Sequence, residues 1–498
     1  MSQYPSQEIY LPFTMAKNVF LCGIGGSGMS ALARFFLSEG YSVFGSDSHD
    51  SSILSALEKE GATVFRHQSA ENILLHPFEE FIYSEAIPED HPERIAAELK
   101  EIPQKKYFEK LGEITKGYLT VCIAGTHGKS STTAMVASVM RDAGLDITAL
   151  VGANVHEWGG KNFLRANSDP DALKKYFVVE ACEYRESFLN FSPYAVILTN
   201  VEPEHLDYFK TEENYFAAFQ KLLAKLPQFG LFVSDHSDLG LIKILPPNFY
   251  PRRSDAQEFL DQVPHLKLEG EHQRENASKV LAFAEKLKIP EEITINTLEQ
   301  FSGLSRRFER RGEKNNILVI EDYAHHPTAV KKTLIAARNM VRNDKRKKLW
   351  VVFQPHQYSR TADFLEEFSE SFEEADEVLI PNIYASRDSE NDKKRITAEE
   401  FTRKVSDFMV IAEKKRSNVW GRGTQSRTET FYKKRVRHTE NFQNTLEILK
   451  EEAWKGDVII IMGAGSITEL ADMFLNDGGD NGTKEVDMLP LHKMKVYR

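Results

Sequence analysis

Apolar positions fall into short runs, each followed by a glycine-containing turn and then by apolar residues at helical spacing. Asn18 to Cys22 is such a run and Gly23 to Gly28 such a turn. Met29, Leu32, Ala33 and Phe36 then recur with a helical period before Tyr41 to Phe44 begins a second strand. The plan repeats at Thr120 to Ala124, with the turn Gly125 to Lys129 and the stripe Val136, Val139, Met140 and Ala143. In the last third, Ile317 to Ile320, Leu349 to Phe353, Glu377 to Ile380 and Asp457 to Met462 read as strands between helical patterns. Strand alternating with helix predicts an α/β fold with parallel layers. Polar connectors near residues 113 and 304 divide it into three expected domains, 1–113, 114–304 and 305–498.

A chain of 498 residues is long enough for several such cores. With 41% apolar and 28% charged residues mixed along its length, the composition is globular and not disordered. The net charge of -11 argues against a nucleic-acid or anionic-membrane partner. The segment Lys414 to Arg437 is basic and interleaved with Trp420, Phe431 and Tyr432, and is expected to be a solvated surface insertion. No apolar run approaches the ~20 residues of a membrane helix, and the N-terminus lacks a secretory pattern. Cytoplasmic residence is the expectation. Cys22, Cys122 and Cys182 are widely spaced and are expected to be buried small hydrophobes.

Two loops carry candidate chemistry. Gly23-Ile-Gly25-Gly-Ser-Gly28 fits G-x-G-x-x-G between a strand and a helix, with Asp47 at the end of the next strand. Glycines there let the backbone approach a pyrophosphate at the positive end of the helix. An NAD site, a nucleotide-sugar site and a tight structural turn all fit. Gly125-Thr-His-Gly128-Lys129-Ser130 supplies the Gly-Lys-Ser core of an ATP-binding P-loop, although Ile123 stands where the full pattern has glycine. Lys129 would neutralise phosphate and the Ser130 hydroxyl would ligate Mg2+. Val178-Val-Glu180 and Thr199-Asn-Val-Glu-Pro-Glu-His205-Leu-Asp207 end two further apolar runs with polar groups, where α/β strands present ligands to a nucleotide.

Taken with Glu180-Ala-Cys-Glu-Tyr-Arg-Glu-Ser-Phe188, Arg306-Arg-Phe308, Asp322-Tyr-Ala-His-His-Pro327 and Phe353-Gln-Pro-His-Gln-Tyr-Ser-Arg-Thr361, these motifs resemble the Mur ligase family from Asn18 to about Phe474. The resemblance implies an N-terminal Rossmann-like domain for a UDP-sugar, a central P-loop ATPase-like domain, and a C-terminal Rossmann-like domain that closes over the site. The implied reaction joins L-alanine to the lactyl carboxylate of UDP-N-acetylmuramate through an acyl phosphate, with ATP and Mg2+, in a monomer or weak homodimer. Three alternatives are a ligase recycling a tripeptide onto the same sugar, an NAD-dependent oxidoreductase, and a silent UDP-sugar-binding regulator.

The implied substrate contacts are Gly23, Gly25, Gly26, Ser27, Gly28 and Met29 at the pyrophosphate, with Asp47 and Ser84 nearer ribose and uracil. Gly125, Thr126, His127, Gly128, Lys129, Ser130 and Ser131 would hold ATP, His127 also reaching toward the sugar nucleotide. Ser130, Glu180 and His205 would hold Mg2+. Asn276 and Arg307 would contact ATP, and Asp322, Tyr323, His325 and Arg360 would surround the nucleotide, acyl group and amino acid. Lys129, Glu180, His205, His325 and Arg360 are the expected catalytic set. His325 is preferred over His326, and Arg306, Arg310 and Arg311 are expected in salt bridges. Gln273 and Gln357 depart from the family's usual asparagine and arginine.

Overall fold

The computed structural model describes residues 17–476 except 170–171, 247, 248, 250, 343, 345, 387 and 419–434, with the side chains of 207 and 413–418 also outside the description. Most of the basic segment 414–437 therefore lies outside the described residues. Its end does not form a solvated insertion. Val436–His438 is a strand, and Arg437 pairs with Glu452 at 2.5 Å.

Three sheets form. The first contains β1 (Asn18–Cys22), β2 (Ser42–Ser46), β3 (Thr63–Phe65), β4 (Glu80–Tyr83) and β5 (Gln104–Lys106), in the order β3-β2-β1-β4-β5 and all parallel. The second contains β6 (Leu119–Ala124), β7 (Ile147–Val155), β8 (Lys161–Ala166), β9 (Tyr176–Glu180), β10 (Pro193–Leu198), β11 (Leu231–Ser234) and β12 (Arg252–Asp255). Its order is β12-β11-β10-β6-β9-β7-β8, parallel except for the β7-β8 pair. The third contains β13 (Glu309–Lys314), β14 (Ile317–Asp322), β15 (Leu349–Phe353), β16 (Glu377–Ile380), β17 (Val436–His438) and β18 (Val458–Met462). It runs β13-β14-β18-β15-β16-β17, with β13 antiparallel to β14.

The central strands β6, β15 and β18 carry near-continuous apolar runs because parallel strands are covered on both faces. The division expected at residue 113 falls inside the helix Tyr107–Thr115, which connects the first two sheets. The polar composition there is that of an amphipathic connecting helix.

The first two sheets share a core. The helix Ser27–Ser38 packs on the β7-β8 edge, and the rings of Phe35 and Phe177 lie 6.1 Å apart. Asn162 on β8 fixes the joint. Its amide donates to Ser27 O at 2.6 Å and to Ser30 Oγ at 3.0 Å, and its carbonyl accepts from Arg34 Nη1 at 2.5 Å. Between the second and third sheets, His156 Nε2 lies 3.1 Å from Glu309 Oε1. No helix among the described residues is long and apolar enough to cross a membrane.

Candidate active site

The carboxyl ends of the parallel strands of the second and third sheets converge on one cavity of about 670 Å³, lined from all three sheet regions: Ser27 from the first, the P-loop from the second, and Arg307, Asp322, Tyr323, His325 and Arg360 from the third. Such crevices are where open α/β sheets bind ligands.

The P-loop leaves β6 and enters the helix Lys129–Asp142. Its glycines are required by shape. Gly125 has φ 130° and a Cβ there would sit 2.1 Å from Thr199 Oγ1, while Gly128 has φ 82° and faces Asn276 Oδ1. Asn200 clamps the loop from both sides, accepting from His127 N–H and donating to His127 O, each at 3.0 Å. Thr126 Oγ donates to Glu202 O at 2.8 Å. The free amides of the helix start are thereby held open for an anion.

Lys129 Nζ donates to Gly125 O at 2.5 Å and Thr126 O at 3.0 Å, and pairs with the buried Glu183 at 3.0 Å. Burial alone would lower this ammonium's pKa, but the charges of Glu183 and Glu204 outweigh it and hold the group above its ordinary value. Glu183, Glu204 and His205 form a group whose ligand atoms lie within 4.8 Å of one another. Burial likewise opposes the charge on Glu204, yet His205, Arg360 and His325 around it hold its carboxyl well below the usual range. His205 adopts φ 56° at a helix start, a left-handed conformation that costs energy in a non-glycine residue and that clusters at functional sites.

Ser130, Glu180 and His205 all line the cavity. Glu180 Oε1 accepts from Gly152 N–H at 2.5 Å, and Ser130 Oγ accepts from Arg307 Nη2 at 3.3 Å, a bond between the second and third sheet regions. The oxygen-rich donor set suits a hard cation. Motif reading gave no role to Glu183 or Glu204, although the Glu180-Ala-Cys-Glu183 and Glu202-Pro-Glu204-His205 spacings carry the signal.

Ser131, His127 and Asn276 also line the cavity. Arg307 stacks over the Tyr323 ring at 4.8 Å. The carboxylate of Asp322 is engaged by its own chain, accepting from Phe308 N–H at 2.7 Å and Ala324 N–H at 2.6 Å. Arg360 Nη2 lies 3.6 Å from Glu204 Oε1, and His325 Nε2 lies 3.7 Å from the same oxygen. Gln357 donates to Ser386 O at 2.9 Å, which ties its amide to the loop beyond β16. Arg306 and Arg311 both pair with the buried Glu321, and Arg310 lies 3.8 Å from Glu269.

On the first sheet, Gly23, Gly25, Gly26, Gly28, Asp47 and Ser84 gather at the strand ends outside the lining of this cavity, from which Ser27 alone of the loop contributes. Asp47 Oδ2 accepts from Gly25 N–H at 3.0 Å, so that carboxylate braces the loop. Met29 is 3% exposed and packs in the core, which leaves only its backbone for a pyrophosphate. Cys182 departs from the buried-hydrophobe expectation, since it is half-buried and lines the cavity. Burial pushes its thiol up to about 12.

Fold and site define a P-loop α/β enzyme assembled from three sheet units. Family models described as "Mur ligase family, catalytic domain", "Mur ligase middle domain" and "Mur ligase, glutamate ligase domain" match residues 19–119, 123–251 and 306–465. The chain is 35% identical over 489 residues to a UDP-N-acetylmuramate--L-alanine ligase of Acetivibrio thermocellus, covering 93% of this chain and 96% of that protein. It is 33% identical to the enzyme of the same name from Clostridium acetobutylicum, covering 93% and 98%. Among solved structures, UDP-N-acetylmuramate-alanine ligase from Thermotoga maritima aligns with a TM-score of 0.70 at 23% identity, over 92% of this chain and 98% of that one. A murein peptide ligase from Psychrobacter arcticus aligns at 0.65 and 19%, over 93% and 98%. The chain belongs to the Mur ligase family.

Proposed function

We propose that the protein joins L-alanine to the lactyl carboxylate of UDP-N-acetylmuramate, cleaving ATP to ADP and phosphate through an acyl phosphate. One observation carries the reading: a single cavity draws Ser27 from the glycine-loop unit, Lys129 from the P-loop unit and Arg360 from the third. An acid, a triphosphate and an amino acid held by separate units can meet there. Curated relatives at 32–35% identity, named for the L-alanine reaction, favour it over the tripeptide alternative. An oxidoreductase leaves the P-loop, Glu180 and His205 without a role.

A carboxylate resists attack by an amine because resonance and charge disfavour the approach, so it must first be activated. Lys129, held charged by Glu183, offsets the repulsion as the carboxylate approaches the γ-phosphate. Ser130, Glu180 and His205, with Glu183 and Glu204 nearby, are the residues that would hold Mg2+. Bound Mg2+ neutralises charge on the phosphate oxygens. Arg360, which lines the cavity from the third unit, would pair with the amino-acid carboxylate. His325 is a poor proton acceptor, because burial and the Arg360 charge press its pKa well below the ordinary imidazole value. It therefore orients a reactant by hydrogen bonding. ATP and a UDP-sugar as substrates place this step in the cytoplasm.

The test is mass analysis of the product formed from the UDP-sugar, ATP, a mixture of amino acids and the candidate tripeptide. The reading expects the mass of the L-alanine adduct. Turnover only with the tripeptide would overturn it.

A further inference from the structure

We propose that His127, Glu202 and His326 form a binding site for a divalent transition metal, Zn2+ by preference, that fixes the third unit against the phosphate loop. Their ligand atoms lie within 4.8 Å of one another. His127 Nε2 lies 3.6 Å from Glu202 Oε2, close to the ~3.3 Å between two ligands of one tetrahedral zinc with bonds of about 2.0–2.1 Å. The rings of His127 and His326 are 5.1 Å apart.

A second observation points to a ligand. His326 is 6% exposed, and neither of its ring nitrogens has a hydrogen-bond partner among the described residues; His127 Nε2 has none either. Buried polar groups are normally satisfied, and an unsatisfied one costs about 1–3 kcal/mol. The His326 ring packs against Phe364 with centroids 4.9 Å apart, but this contact leaves the nitrogens unanswered. A metal would take one neutral nitrogen from each imidazole, answering His127 Nε2 and one of the two His326 nitrogens, and Glu202 would partly neutralise its charge.

The donor set separates this site from the Mg2+ donors. Two imidazoles and one carboxylate suit zinc and its neighbours, whereas Mg2+ favours oxygen ligands. Three protein ligands leave one tetrahedral position for water. The three come from different places: His127 from the P-loop, Glu202 from the segment after β10, and His326 from the cap of the helix Pro327–Val341. Metal binding would therefore tie the second and third units together.

The experiment is competition between the full-length protein and a chromophoric zinc chelator, in excess Mg2+ and without nucleotide, with thermal melting in parallel. The wild type is expected to take one Zn2+ per chain and to melt higher with it. His326→Gln and Glu202→Gln are each expected to weaken zinc by at least tenfold and to lose the melting shift, with each variant's zinc-free melt confirming that it folds. Unchanged zinc affinity in both variants would overturn the proposal. So would loss of binding in His205→Ala or Cys22→Ser with retention in His326→Gln, because the metal would then sit at Glu183-Glu204-His205 or at Cys22-His91-Glu93, the two other candidate groups.

Discussion

Lys129 Nζ stands 3.0 Å from Glu183 Oε2, and the carboxylate is 1% exposed. The lysine therefore has a fixed position and a fixed charge before any phosphate arrives. Lys129→Ala is expected to lower turnover by about 10²- to 10³-fold, the usual scale for removing an electrostatic stabiliser, read as phosphate release with both substrates present. Glu183→Ala leaves a buried ammonium without its main partner and is expected to destabilise the fold by about 3 kcal/mol, read by urea denaturation.

The His156-Glu309 pair joins the second and third units and is expected to make that joint pH-sensitive. The Glu309 hydrogen bond raises the His156 pKa above its ordinary 6.5, against the opposing effect of burial. Burial would raise Glu309, but the His156 bond and the Arg306 N–H lower it below 4.5. The histidine's contribution is complete below pH 6.5 and fades as pH rises through its folded value; the carboxylate's is complete above 4.5 and fades as pH falls. Melting temperature should decline from about pH 6 to 8 in the wild type, and this part of the decline should flatten in His156→Gln.

Asn162→Ala removes one acceptor and two donated bonds at the joint between the first two units. It strands Arg34 Nη1 in a buried setting. A loss of about 1–3 kcal/mol in denaturant unfolding is expected. Asn162→Asp, which keeps an acceptor for Arg34, should lose less.

Gly28 has no room for a methyl group, since a Cβ would lie 2.9 Å from Tyr107 Cζ. Gly28→Ala is therefore expected to displace the glycine loop and raise the KM for the UDP-sugar by about 10- to 100-fold, the cost of an ångström-scale misplacement. ADP affinity, measured by calorimetry, should be unchanged.

Arg360→Gln is expected to raise the KM for L-alanine by about 10- to 100-fold, equivalent to one charge-assisted hydrogen bond. Gln357 cannot substitute while its amide is held by Ser386 O.

Much of the fold is legible because it is local. The run at β15 is apolar along its whole length, those at β1 and β16 are apolar after one polar first residue, and the strands occupy those residues. The second strand extends to Ser46, two residues past the apolar run, because pairing with β1 and not side-chain character decides its end. The phosphate loop is legible for the same local reason. Glu183 and Glu204 each stand in an acidic segment visible in the sequence, but that the two segments meet follows from β9 and β10 both flanking β6, a neighbourhood set by sheet order. At Met29, helical periodicity places the side chain in the apolar stripe, and there it is buried.

In the proposed reaction ATP activates the sugar-borne acid within one shared cavity. Its most direct test uses UDP-N-acetylmuramate with both lactyl carboxylate oxygens labelled as oxygen-18, followed by mass analysis of the phosphate released with L-alanine. One labelled oxygen in each phosphate is the result the account predicts. Unlabelled phosphate accompanying full product formation would contradict it.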